Sequence, residues 1–110
     1  MHIIFPLNLV FKALADPSRR YLLDLLHEEN ALTSNELCAH LDMTRQAAAK
    51  HLALLEEAKL VVIIWHGREK LHYLNPVPIQ QIYERWIGKY ERHRLQALSK
   101  LKKDLEEKNK

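Results

Sequence analysis

The sequence predicts a mainly α-helical fold that carries one β-hairpin, and three observations support that class. Apolar residues recur at three- and four-residue spacing through most of the chain, as in Tyr21, Leu22, Leu25 and Leu26 or Leu52, Leu55 and Ala58. The period changes once, in the run Leu60 to Trp65, which is almost wholly β-branched or apolar and is followed by Gly67. Only two glycines occur in 110 residues, so flexible linkers are few and the elements follow one another closely.

Local signals justify each element in order. Leu7, Val10, Phe11 and Leu14 stand at helical spacing and predict a short first helix. Asp16-Pro17 opens the second, because Asp caps orphan amides and proline's missing N–H is no loss at the first helical position. Tyr21, Leu22, Leu25 and Leu26 are its expected buried face, and Glu28, Glu29 and Asn30 end it. Thr33-Ser34-Asn35-Glu36 reads as a capping box, so a short third helix follows with Leu37 and Leu41 inward. Asp42-Met43 is expected to turn, and Thr44 to cap a fourth helix. Two helices a few residues apart, the second long and polar at its front, form a helix-turn-helix.

Leu60 to Trp65 is then a strand, His66-Gly67-Arg68 a turn, and Glu69 to Leu74 the returning strand, with Leu71 and Tyr73 on one face and Lys70 and His72 on the other. A hairpin behind a helix-turn-helix is a wing, here about 60–74. Asn75-Pro76-Val77-Pro78 stops the sheet. Beyond it Ile79, Ile82, Tyr83, Trp86, Ile87, Tyr90, Ala97, Leu98, Leu101 and Leu105 predict one amphipathic helix over about 78–106. That is roughly 28 residues, or ~42 Å at 1.5 Å per residue, with Gly88 as a place to bend.

The length is that of a single domain, expected over 1–110, and a monomer of this size leaves much surface unburied, so a partner subunit is expected to help. Apolar residues at 47% and charged residues at 28% argue for a folded chain, and the net charge of +3 leans weakly toward polyanions. Cys38 is the only cysteine, which excludes an internal disulfide and fits a reducing, cytoplasmic setting. The apolar start MHIIFPLNLVF is interrupted by Pro6 and Asn8 and has neither a basic lead nor a cleavage site, so it reads as mature protein. No run approaches a membrane span.

The fourth helix has two halves of different composition. Its tail, with Leu52, Leu55 and Ala58, is an anchor. Its front, TRQAAAK, is slim and rich in donors, which suits a helix entering the DNA major groove, where base edges are read by hydrogen bonds and phosphates by amides and cations. Ala47, Ala48 and Ala49 keep the front narrow. Thr44, Arg45, Gln46 and Lys50 supply contacts, Gln46 being suited to a bidentate pair with adenine and Arg45 to guanine or phosphate. These residue types are also good helix formers, so a plain exposed helix is the competing reading; the capped helix before it and the hairpin after it favour the first.

With LADPSRRYLLDLL, the T-x-x-E-L opening of the third helix, KHLALLEEAKLV and GREKLHYLNP in this order, the chain resembles the ArsR/SmtB family of winged helix-turn-helix regulators over nearly its whole length. The tail, with Trp86, Tyr90 and RLQALSKLKKDLEE, is similar to the metal-independent branch. The resemblance implies a homodimeric repressor of double-stranded DNA. Its recognition helix would span Thr44 to Ala58 and its wing would touch the backbone or minor groove. First and last helices would form the interface, with Leu7, Phe11, Tyr83, Trp86, Tyr90, Leu98 and Leu101 as candidates. Arg68, Lys70 and His66 are the candidate wing contacts, and Arg19 and Arg20 are either phosphate contacts or a solvated pair.

The family's metal positions are filled by other residues. Where thiolate sensors carry paired cysteines this chain has Thr33 and Asn35, which are not soft-metal ligands. Where zinc sensors use the last helix, the positions fall near Pro76, Pro78, Lys89 and Arg92. A shifted site from Glu91 and His93 stays open, while Cys38 and His40, two apart on a helix, point away from each other. The expectation is no metal and no cofactor. Relatives often carry arginines along the first wing strand, whereas Val61, Val62, Ile63, Ile64 and Trp65 stand here, so a partner or ligand for that strand is also open. Two alternatives remain beside DNA regulation: a winged-helix protein-interaction module, and a sensor of an unidentified small-molecule effector held among Tyr83, Trp86 and Tyr90. An enzyme is not expected, since no Gly-rich phosphate loop, His-x-x-x-His pair or nucleophile–base pair occurs.

Overall fold

Side-chain caps start three of the helices where the sequence puts them. The computed structural model describes residues 7–88 and 92–108. Its elements are α1 (Leu7–Leu14), α2 (Pro17–Glu28), α3 (Ser34–Ala39), α4 (Arg45–Glu57), β1 (Val61–His66), β2 (Glu69–Leu74), α5 (Val77–Trp86) and α6 (Arg92–Lys108). Asp16 accepts from the amides of Ser18 (2.8 Å) and Arg19 (3.2 Å) at the head of α2. Thr33 and Glu36 close the capping box of α3 in both directions, at 3.2 and 3.0 Å, and Thr44 accepts from Ala47 N–H at the head of α4. Each cap satisfies amides that lack an intrahelical partner.

The described chain divides into two compact units between Ile79 and Gln80. In the first unit, leucines from α2, α3 and α4 meet Val10 and Ala13 of α1 and Leu60 and Val61 at the start of β1. The buried face of α2 is turned from the expected one: Leu22, Leu23 and Leu26 are buried together with Arg19, while Tyr21 is 43% exposed. The stripe runs through 19, 22, 23 and 26, because the Arg19 side chain is itself an inward member of it.

Helix α4 ends in a Schellman motif. Lys59 takes a left-handed φ of 64°, and the amides of Lys59 and Leu60 return to Glu56 O and Leu55 O, both at 3.0 Å. Asn75 braces this corner, donating its backbone N–H to Leu60 O and its side-chain amide to Lys59 O, and accepting from Val77 N–H.

The hairpin pairs β1 and β2 antiparallel from Val61↔Leu74 to His66↔Glu69. Gly67, at φ +63°, takes the first central position of the two-residue turn, the glycine position of a type II′ turn. The two faces of β2 hold the residues expected of them, Lys70 with His72 and Leu71 with Tyr73, and it is the face of His72 that turns inward. His72 is buried at 2% exposure, whereas Leu71 and Tyr73 are only half-buried. The cause is a third strand-like segment ahead of α3: Leu32 pairs with His72, Ala31 N–H donates to His72 O, and His72 Nδ1 lies 2.8 Å from Leu32 O. Since a carbonyl only accepts, Nδ1 carries the proton.

Beyond the wing the single helix expected over 78–106 is two helices. α5 stops at Trp86, and the amides of Ile87 (2.7 Å) and Gly88 (2.9 Å) both converge on Tyr83 O. A Cβ on Gly88 would sit 3.0 Å from the Glu84 Cα and closer still to its carboxylate, so the crowded turn is one that glycine fits. Pro78 is the last buried residue among those described; Tyr83, Trp86, Leu98, Leu101 and Leu105 are all exposed. Tyr90, Lys89 and Glu91 lie outside the described residues, as does the His93 side chain. No helix among the described residues is long and apolar enough to cross a membrane.

Candidate nucleic-acid interface

The front of α4 separates its residues into two rows. Ala48, Leu52 and Leu55 are buried, at spacings of four and three, and anchor the helix. Thr44, Arg45, Gln46, Ala49 and Lys50 are all exposed and occupy the outward row of the same turns. Ala48, grouped by its composition with the narrow outer front, belongs instead to the core; the front is kept slim by Ala49 and the half-buried Ala47. A helix of this kind presents three long polar side chains over a surface with no bulk between them. That is the steric and hydrogen-bonding requirement of a groove-reading helix.

What holds this front in place is a buried cation. Arg19 is 9% exposed, and its guanidinium donates from Nε to Ala13 O (2.8 Å) and from Nη2 to Lys12 O (3.0 Å). Its Nη1 lies 3.0 Å from His51 Nδ1 on α4. Because guanidinium only donates, Nδ1 presents its lone pair to Arg19. Arg20 adds a bond from Nη1 to Leu14 O at 2.7 Å. Two successive arginines thus satisfy three of the last four carbonyls of α1, groups that have no partner within their own helix. The phosphate-contact reading of Arg19 meets a side chain committed to the fold, since a desolvated guanidinium bonded to two carbonyls and a ring nitrogen has little left to offer a ligand. Arg20 stays exposed. Through its link to Arg19, His51 braces α4 against α2.

Carboxylate pKa values reflect the same caps. Desolvation pushes Asp16 up, but the amide bonds from Arg19 and Ser18 outweigh it and the group lies below its ordinary value. The backbone and side-chain bonds from Thr33 hold Glu36 low. Burial pushes the His72 imidazole below its ordinary value, against the opposing effect of the Leu32 carbonyl.

The wing extends the polar surface. His66, Arg68, Glu69 and Lys70 are exposed around the turn, with Trp65 directly across from Lys70. Between α3 and α4 lies a crevice of about 200 Å³ lined by residues including Cys38, Arg45, Ala48 and Leu52, so Cys38 is a half-buried wall residue. Among the described residues no group of three or more His, Cys, Asp or Glu side chains stands close enough to hold a metal ion. Sequence reasoning missed the inward role of Arg19 and the strand pairing of Leu32; the first had a signal in the 19, 22, 23, 26 spacing, the second had none.

Residues 14–64 match the model of a helix-turn-helix domain family. The chain is 42% identical over 84 residues to the HTH-type transcriptional regulator YuzN of Bacillus subtilis (strain 168), an overlap of 71% of this chain and 91% of that one. It is 31% identical over 74 residues to the transcriptional repressor SdpR of the same strain, covering 67% and 81% respectively. An ArsR-like transcriptional regulator from Rhodococcus sp. RHA1 matches in structure with a TM-score of 0.64 at 32% identity, over 86% of this chain and 91% of that chain.

Proposed function

The chain belongs to the ArsR family of winged helix-turn-helix transcriptional regulators, and from that premise we propose that it is a cytoplasmic, homodimeric repressor that reads DNA with the front of α4 and works without the family's metal sites. The observation that carries the reading is the division of α4 into a buried row, Ala48, Leu52 and Leu55, and an exposed row, Arg45, Gln46, Ala49 and Lys50. Gln46 and Arg45 are the base-reading side chains; Thr44, Lys50, Arg68, Lys70 and Arg20 contact phosphates.

Dimerisation is supported by the exposed leucines of α6, Leu98, Leu101 and Leu105, spaced three and four apart like a coiled-coil seam, with α1 contributing Leu7 and Phe11 and α5 contributing Tyr83 and Trp86. Two copies related by a two-fold axis read a pseudo-palindrome with half-sites about 34–36 Å apart. Repression is supported by the relative SdpR being a transcriptional repressor, and we assign it to occlusion of a promoter. The metal-independent part rests on Thr33 and Asn35, the first of which is occupied as a helix cap.

The test begins with selection of bound duplexes from a random pool, which should enrich an inverted repeat. On that repeat Gln46→Ala should cost on the order of 1–3 kcal/mol, and on random DNA almost nothing. Equal losses on both would refute base reading by Gln46. Binding must also weaken steeply as salt rises, since each neutralised phosphate releases counterions.

A further inference from the structure

The wing carries a residue that neither the fold nor the reading of α4 uses. Along the face of β1 that starts in the core, burial falls from Val61 at 2% exposure, through the half-buried Ile63, to Trp65 at 65%. Trp65 is the most exposed of the large apolar residues described. Four residues of strand carry it about 13 Å from Val61, beyond the core that the face otherwise covers. Its cross-strand partner is Lys70, and the adjoining turn holds Gly67 and the exposed Arg68; the carboxylate of Glu69, beside the turn, belongs to the residue paired with His66.

An exposed indole with a lysine across from it and an arginine in the adjoining turn, on a narrow ribbon, is complementary to a groove whose walls are phosphates and whose floor is sugars and base edges. Apolar wedges are a common means of engaging the minor groove, where they insert at a base step, partly unstack it and pack on the base pair so exposed. The unit that carries the ribbon also carries α4. A second copy is a poor occupant, because tip-to-tip packing would bring Lys70 and Arg68 against the same charges.

We propose that Trp65 is a DNA contact, its indole entering the minor groove that flanks the recognition helix while Lys70 and Arg68 take the phosphates on either side. This rests on the reading of α4 as the recognition helix and names the wing's part in it. The departure from an arginine-bearing wing strand is then a change of chemistry, from counterion release to stacking.

The test is fluorescence anisotropy on a labelled pool of random-sequence duplexes across a salt series, with wild type, W65A, W65F and K70A. W65A should weaken binding about tenfold or more at every salt concentration and leave the salt slope unchanged, because the indole releases no counterions. W65F should retain most of the affinity, and K70A should lower the slope by about one. Duplex should quench wild-type tryptophan emission by an amount that W65F lacks, which separates Trp65 from Trp86. Should W65A fail to fold, the wild-type and W65F comparison still decides. Binding by W65A equal to wild type, or identical emission responses in wild type and W65F, would overturn the proposal while leaving the α4 reading intact. An emission change with protein concentration alone, absent in W65F, would assign the tip to a second copy and also overturn it. Failure of the wild type to bind any duplex would remove the α4 reading and this proposal together.

Discussion

Replacing Arg19 by alanine separates a structural cation from a phosphate contact. The substitution removes the bonds to Ala13 O and Lys12 O, at 2.8 and 3.0 Å, and the 3.0 Å link to His51 Nδ1. Each is worth ~1 kcal/mol net, and more where the partner stays desolvated. Water can reach the carbonyl of Lys12 and the His51 ring, which offsets part of the loss, so the expected cost is about 2–3 kcal/mol. Against a typical total of ~5–15 kcal/mol this is a large fraction. At an m of roughly 1.5 kcal/mol/M it lowers the urea midpoint by about 1.5 M at fixed protein concentration, followed by circular dichroism. Arg19→Lys, which reaches one carbonyl at most, should fall between. DNA binding should weaken through the loosened brace on α4 while its salt slope holds. An R19A protein within ~0.5 kcal/mol of wild type whose salt slope drops by about one would refute the reasoning and make Arg19 a phosphate ligand.

Other outcomes follow from particular residues. Lys59 holds a left-handed φ of 64° at the end of α4, so Lys59→Gly should stabilise the protein by about 0.5–1 kcal/mol; a lower denaturation midpoint would show that the Lys59 side chain contributes something the turn geometry does not. Burial holds the His72 imidazole below its ordinary 6.5, so the unfolded chain binds a proton that the folded chain refuses. Stability is therefore at its full value above about pH 6.5 and declines as pH falls toward the lower folded value, and His72→Asn, which keeps a donor for Leu32 O without titrating, should flatten that decline. An unchanged pH slope in H72N would assign the effect to another group. Leu98→Glu with Leu101→Glu should convert the proposed dimer to monomer in sedimentation and reduce affinity for the inverted repeat far more than for a single half-site; a variant that still sediments as a dimer would move the interface off α6.

Legibility in the sequence tracked the span of the interaction. Asp16, Thr33 and Thr44 cap amides two or three residues away, and Gly67 turns the chain within its own hairpin, so residue type and spacing were enough to locate α2, α3, α4 and the wing. The exposed front of α4 was readable for the same reason: polar, slim positions followed by leucines describe one helix with two environments. Ala48 marks where this stopped, because alanine suits both a narrow outer face and a close helix contact, and only the neighbours of α4 select between them.

The sequence by itself thus determined the order of elements through the wing, the capped starts of α2, α3 and α4, and most of the side chains that face outward on α4, all through bonds and periodicities confined to a few residues. Tertiary structure decided that Arg19 reaches across 32 positions to His51, that His72 turns inward to Leu32 across 40, and that the C-terminal segment is α5 and α6 rather than one rod. The first two are pairings whose partners carry no local signal, since a cation or an imidazole is equally at home in water until a specific carbonyl or ring nitrogen is brought beside it. The third turns on two amides competing for the Tyr83 carbonyl, a contest that apolar spacing does not register.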